Sequence, residues 1–213
     1  ISKRWQTMRY NHTSIVKAPD TPAHQHDDVA LARKYACRGP RYTSYPTAPQ
    51  FSDNFPRRRY LDWQSGTDAS TTPLSLYVHI PFCNDICYYC ACNKVVTRRP
   101  GVAADYIDRL EQEIALQSEL VGHRRPITQM HWGGGTPTYL DSGEMTRLMH
   151  ALSRHFALQS HGDREYAIEI DPRTVDTTTI ALLKGLGFNR LSLGIQDFDP
   201  RVQKAINRIQ TPE

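Results

Sequence analysis

The sequence predicts an α/β protein: a partial parallel barrel of strand–helix units, preceded by an N-terminal arm. Three observations carry this reading. Four short stretches between residues 74 and 195 alternate apolar with polar residues, the period of a half-buried strand. Stretches with apolar residues three and four apart follow them, the period of a helix face. Strands separated by helices pair in parallel through right-handed crossovers. Composition agrees. Of 213 residues, 39% are apolar and 23% charged, enough core-forming material to exclude wholesale disorder. No run approaches the roughly 20 apolar residues needed to span a bilayer. The polar, basic stretch from Ile1 to Lys17 has no apolar core of a secretory signal. The expectation is a cytoplasmic protein without a membrane partner. A net charge of +4 is too mild to imply a nucleic-acid partner, which asks for basic residues clustered on one face.

The elements follow in order. Residues 1–27 show no periodicity and contain the turn formers Asn11, Pro19 and Pro22, so a flexible extension is expected. Residues 28–73 read as an arm. Within it Asp28–Tyr35 suits a short helix, and Gly39-Pro40-Arg41-Tyr42-Thr43-Ser44-Tyr45-Pro46-Thr47 is extended by its prolines. Gly66 to Pro73 is a linker rich in Ser and Thr. Regular pattern starts at residue 74. Leu74, Leu76, Val78 and Ile80 alternate with Ser75, Tyr77 and His79, a first strand. Ala103, Ile107, Leu110 and Ile114 mark a helix face. Ile127 to Trp132 is a second strand. Asp141-Ser142-Gly143-Glu144 has the form of a capping box, and Met145, Leu148, Leu152 and Phe156 line the helix it opens. Tyr166, Ile168 and Ile170 make a third strand, and Ile180 to Leu186 a helix that Gly187 ends. Leu191, Leu193 and Ile195 make a fourth strand. Asp199 to Asn207 starts a last helix with Pro200 in its first turn. The fourth strand is left with an unpaired edge, a liability in a finished fold. With a chain that starts at Ile1 and reaches its first Met at Met8, an incomplete barrel is expected.

Chemistry in parallel α/β folds gathers at the C-terminal ends of the strands. Each predicted strand delivers something there. The first runs into Cys83, Cys87, Cys90 and Cys92, the second into Gly133-Gly134-Gly135-Thr136-Pro137-Thr138. The third carries Glu169 and then Asp171-Pro172-Arg173, and the fourth ends in Gln196-Asp197. Polar loops explain the aspartates, but they do not explain three glycines and four cysteines. Cys37 stands alone. The other four cysteines lie too close together for a framework of long-loop disulfides, and read as a metal site in a reducing compartment. Zinc would need His79 or Cys92 to complete four ligands. The spacing C-x3-C-x2-C suits a [4Fe–4S] cluster with three irons held by protein and one left open. The glycine run is no P-loop and no G-x-G-x-x-G, but it lets a small polar ligand approach the backbone closely.

C-x3-C-x2-C after a first strand, with a Gly-rich loop after the second, resembles the radical S-adenosylmethionine superfamily. Tyr77-x-His79-Ile80-Pro81-Phe82-Cys83, Cys90-x-Cys92-Asn93-Lys94, the segment 39–47, His131 to Thr138, Glu169-x-Asp171-Pro172-Arg173, Gly187 to Ser192 and Asn207-Arg208 are similar to its oxygen-independent coproporphyrinogen III oxidase family. Tyr89 and Ala91 depart from the Phe and Gly of its best-known members. The resemblance covers about residues 28–213, roughly the first half of a full-length member. It implies a three-quarter (β/α)6 TIM-like barrel with about four of six units present, and a C-terminal domain absent. It implies that Cys83, Cys87 and Cys90 ligate a [4Fe–4S] cluster. Tyr77, Gly134 and Glu169 match contacts to the S-adenosylmethionine on the open iron. Tyr89, Gly135, Thr136, Gln196 and Arg208 match positions around a second S-adenosylmethionine. Cys92 is typical of the family but is not expected to be a ligand. The implied reaction uses a 5′-deoxyadenosyl radical to decarboxylate two propionates of coproporphyrinogen III, giving protoporphyrinogen IX. The implied partners are that substrate and a low-potential electron donor protein, with the chain a monomer.

Plainer roles stand beside these. Tyr77 suits barrel packing, Gln196 a satisfied polar residue, and Arg208 a helix-end charge that offsets the dipole. Arg41, Lys94, Arg98 and Arg99 suit either substrate carboxylates or solvated surface. A haem chaperone of the same superfamily shares the three cysteines, but typically lacks the equivalent of Cys92 and the 39–47 segment. A catalytically inactive fragment is the other alternative.

Overall fold

In the computed structural model, residues 28–36, 47–66, 72–121 and 125–211 are described. The expected extension 1–27, Cys37, Arg41 and most of the 39–47 segment and of the 66–73 linker lie outside them. The chain divides into two units, residues 1–53 and 54–213. In the first, helix α1 (Asp28–Tyr35) forms as expected, and Ala48–Gln50 make one 3-10 turn.

The second unit holds the predicted alternation. Strands β1 (Leu74–Ile80), β4 (Pro126–Gly134), β6 (Glu165–Ile170) and β7 (Arg190–Leu193) form one parallel sheet in the order β1-β4-β6-β7. Helices α3 (Val102–Val121), α4 (Ser142–His155) and α5 (Thr177–Gly185) connect them, and α6 (Pro200–Ala205) follows β7. Four elements escape the sequence patterns. Helix α2 (Arg57–Gly66) packs against α3, where Tyr60 Oη donates to Gln117 Oε1 at 2.8 Å. Strands β2 (Phe82–Cys83) and β3 (Val95–Val96) form a separate two-stranded pair. Strand β5 (Ala157–Leu158) adds to the start of β4.

The pleat sorts the sheet into two faces. Val78, Ile80, Met130, Trp132, Ile168 and Ile170 are buried on one, under the helices. α3 adds Ala103, Ile107 and Ile114, and α4 adds Met145, Leu148, Met149 and Leu152 to the same core. Each buried Val, Leu, Ile or Met among them contributes about 1.5–3 kcal/mol. The α4 capping box forms in full: Glu144 N donates to Asp141 Oδ1 at 2.8 Å, and Asp141 N to Glu144 Oε2 at 2.9 Å. The opposite face carries Tyr77, His79, His131 and Glu169, placed side by side by the register Tyr77↔His131 and His131↔Ala167.

Several boundaries move. β4 runs through Gly133 and Gly134, which pair with His79 and Ile80, so the first glycines are strand residues. α5 begins at Thr177, three residues before the predicted start, because Asp176 caps it through Thr179 N. β7 stops at Leu193 and excludes Ile195, since Gln196 has φ +71 and turns the chain away. Leu191 and Leu193 are exposed on this edge strand. Among the described residues, no helix is long and apolar enough to cross a membrane.

Candidate cofactor site

The parallel strands bring their C-terminal ends to one rim, and a cavity of about 540 Å3 opens there. That volume is ordinary for small-molecule sites (about 300–1,000 Å3). Cys83, Cys87, Cys90, Tyr89, Gly134, Gly135, Thr136, Glu169, Gln196 and Arg208 all line it. Tyr77 does not. It is 60% exposed, and its ring stacks on His131 at 5.9 Å between centroids.

The cysteine loop, residues 84–94, is closed at its neck by the β2–β3 pair, with Val95 N donating to Pro81 O at 2.7 Å and Thr97 N to Cys83 O at 3.0 Å. Lys94 Nζ donates to Cys90 O at 3.2 Å, and Arg98 bridges Asp85 and Asn84 O. Lys94 is half-buried, whereas Arg98 is a surface charge paired with Asp85. All four described cysteines are unpaired thiols. Burial pushes the Cys83 thiol up, and the Cys90 and Cys87 thiols push it further. The Thr136 hydroxyl, 3.4 Å from Cys83 Sγ, opposes them. Burial also raises Cys92, with Cys90 adding to it.

The glycine run shapes the neighbouring wall. Gly134 has φ +116, and a Cβ there would sit 2.7 Å from His79 Cε1. A Cβ on Gly135 would sit 2.5 Å from Pro81 O. The amides are already used: Gly135 N donates to Ile80 O and Thr136 N to Phe82 O, both at 2.8 Å. Gly134 N reaches Glu169 Oε2 at 3.3 Å. Any backbone contribution of the loop to a ligand therefore falls to its carbonyl oxygens. Glu169 also meets His131 Nε2 at 3.1 Å through Oε1, and its carboxylate keeps lone pairs for a ligand cation. His79 bridges Tyr77 Oη at 3.1 Å and Asn93 O at 2.9 Å, tying β1 to the cysteine loop.

Arg208 is not a solvated helix-end charge. It is 8% exposed, donates to Gly194 O at 2.6 Å and to Cys87 Sγ at 3.5 Å, and lies 3.2 Å from Asp171 Oδ2. Asp171, itself 6% exposed, also takes a bidentate grip from Arg173. Burial alone would raise the Asp171 carboxyl. The Arg173 hydrogen bonds and the Arg208 charge outweigh it and hold the group below the ordinary carboxylate range. Burial raises the Tyr89 hydroxyl, with Arg208 opposing. Gln196 is held at positive φ against the cavity, a conformation that costs a non-glycine residue about 1–3 kcal/mol. The sequence alone gives no role to His131, Asp171, Arg173 and Asn207. Only their tertiary partners reveal them.

A cluster of three cysteines on one loop beside a Gly-rich strand end defines a class before it defines an enzyme. The Radical SAM superfamily profile matches residues 77–213, and the chain belongs to that family. Within it, the oxygen-independent coproporphyrinogen III oxidase of Pseudomonas aeruginosa is 51% identical over 87% of this chain and 40% of its own length. The Mannheimia haemolytica protein of the same name is 47% identical over 68% of this chain and 96% of its own length. The solved coproporphyrinogen III oxidase from Escherichia coli, a radical SAM enzyme, superposes with a TM-score of 0.75 at 46% identity, covering 86% of this chain and 40% of that one. The chain thus spans about two fifths of most of the curated relatives it matches.

Family membership implies a [4Fe–4S] cluster and S-adenosylmethionine. The donor set fits. Three unpaired thiols, Cys83 at the end of β2 and Cys87 and Cys90 on the loop after it, line a cavity, and Arg208 and Thr136 stand in hydrogen-bond range of two of them, as outer-shell donors to cluster thiolates do. Among the described residues, no three His, Cys, Asp or Glu side chains already surround one metal-ion position.

Proposed function

We propose that Cys83, Cys87 and Cys90 hold the cluster, and that the protein performs oxygen-independent oxidative decarboxylation of two propionates of coproporphyrinogen III. The observation that carries this is the convergence of the three thiols, the Gly134–Thr136 turn and Glu169 on one cavity. The named relatives agree with it. When bound and reduced, the cluster supplies the electron that breaks the sulfonium bond of S-adenosylmethionine. This chain's residues do the rest by binding and enclosure. Glu169, oriented by His131 and Gly134 N, accepts from the ligand's ammonium group. Tyr77, stacked on His131, extends the same sheet face beyond the cavity. Arg208, fixed by Asp171 and Gly194 O, sets a hydrogen-bond donor beside the Cys87 sulfur. Tyr89, Gly135, Thr136, Gln196 and Arg208 form the second S-adenosylmethionine site. A low-potential protein donates the electron, and the chain acts as a monomer.

Anaerobic reconstitution with iron and sulfide tests the reading. The expected result is absorbance near 400 nm, loss of iron in Cys83→Ala, and 5′-deoxyadenosine on addition of dithionite and S-adenosylmethionine. Full iron retention in Cys83→Ala overturns the ligand assignment. A second reading, cofactor chemistry without substrate turnover, is favoured by the uncovered Leu191 and Leu193 on β7. Coproporphyrinogen III turnover by this chain decides between them.

A further inference from the structure

We infer that Asn207 is a positioning residue for the cysteine loop, holding Ile86–Tyr88 in the shape that presents Cys87 to the cavity. This rests on the reading that Cys83, Cys87 and Cys90 hold the cluster. The two ends of the loop are secured locally, by the β2–β3 neck and by Lys94 and Arg98. Its middle is held by the segment that leaves α6. Asn207 Nδ2 donates to Ile86 O at 2.8 Å, and Tyr88 N donates to Ile206 O at 3.1 Å. One bond lies on each side of Cys87, and Arg208 reaches the Cys87 sulfur between them.

The residue type matters. Asn207 sits at φ +55, and Arg208 N then bonds Gln203 O at 2.8 Å, closing the end of α6. Asn is among the few side chains that tolerate this left-handed region, and its amide is also a donor. Glycine offers the backbone without the donor. Aspartate offers the backbone with an acceptor set against the Ile86 carbonyl. Histidine tolerates the region and restores an N–H.

The test compares the wild-type chain with Asn207→Gly, Asn207→Asp and Asn207→His. Hydrogen exchange is followed in the iron-free chain, and iron release to a chelator and the EPR spectrum of the reduced cluster in the reconstituted one. Loss of the donor should speed exchange across residues 84–94 about fivefold, the weight of one hydrogen bond. Exchange in β4 and α4 should stay at the wild-type rate, because Gly keeps the backbone turn. Iron release should accelerate and the EPR signal shift in the Gly and Asp variants, with His restoring both in part. Unchanged loop exchange and iron release in Asn207→Gly overturn the inference. Equal loosening of β4 and α4 overturns it too, because it marks general destabilisation. If the wild type takes up no iron, the cluster reading fails, while the exchange comparison still decides the role of Asn207.

Discussion

Replacing Gly135 with alanine tests the geometry of the neck. The added methyl meets Pro81 O at 2.5 Å, Pro81 C at 2.7 Å and Phe82 O at 2.8 Å, all backbone atoms that cannot rotate aside. Overpacking of this kind costs about 1–3 kcal/mol. Separating the two segments also strains the bonds from Gly135 N to Ile80 O and from Thr136 N to Phe82 O. Each is worth about 1 kcal/mol. A loss of about 3–5 kcal/mol follows. With an m-value of about 2 kcal/mol/M, the urea midpoint falls by about 1.5–2.5 M. Gly185→Ala is the control. Nothing lies within 4 Å of its would-be Cβ, and it closes helix α5, so it is expected to be neutral or slightly stabilising. Circular dichroism through a urea titration reads both. A Gly135→Ala midpoint within about 0.3 M of wild type would refute the claim that backbone contact, not chance, demands glycine here.

Further outcomes follow from other residues. Trp132 is fully buried and its indole N–H has no partner among the described residues, so Trp132→Phe should fall within about 1 kcal/mol of wild type, the relieved donor offsetting the lost ring volume. Asp171→Asn should cost about 3–5 kcal/mol at neutral pH, because Arg173 and Arg208 lose their shared carboxylate. The Asp171 carboxyl is depressed in the folded chain. Its stabilisation is therefore complete above about pH 4 and disappears as pH falls through the lowered value. Acid unfolding of Asp171→Asn should lack that component. Asp141→Ala should lower stability by about 1 kcal/mol through loss of the α4 cap, read by thermal unfolding. His131→Phe should weaken S-adenosylmethionine binding by calorimetry while leaving iron content unchanged, since it touches Glu169 and no cysteine.

Most of the fold was legible because its long elements carry their period openly. β1 alternates over seven residues and α3 and α4 present unbroken apolar faces, so burial alone dictates them. β2, β3 and β5 are two residues long each, too short for any period to register. α2 is charged, and is settled by packing on α3 through Tyr60 rather than by its own pattern. At the site, spacing exposed the cysteines and the glycine run. The contacts of Arg208 with Asp171 and Cys87 and of Asn207 with Ile86 were not readable, because they join strand ends and loops far apart in the chain.

The bond from Asn207 to Ile86 spans 121 residues. Synthesis at about 5–20 residues per second places about 6–24 s between the two. For that interval Cys83, Cys87 and Cys90 have left the ribosome, yet the far clasp of their loop does not exist. On the proposed assignment of the cluster to these thiols, insertion has a natural order in time: the thiols are accessible before α6 has folded behind their loop.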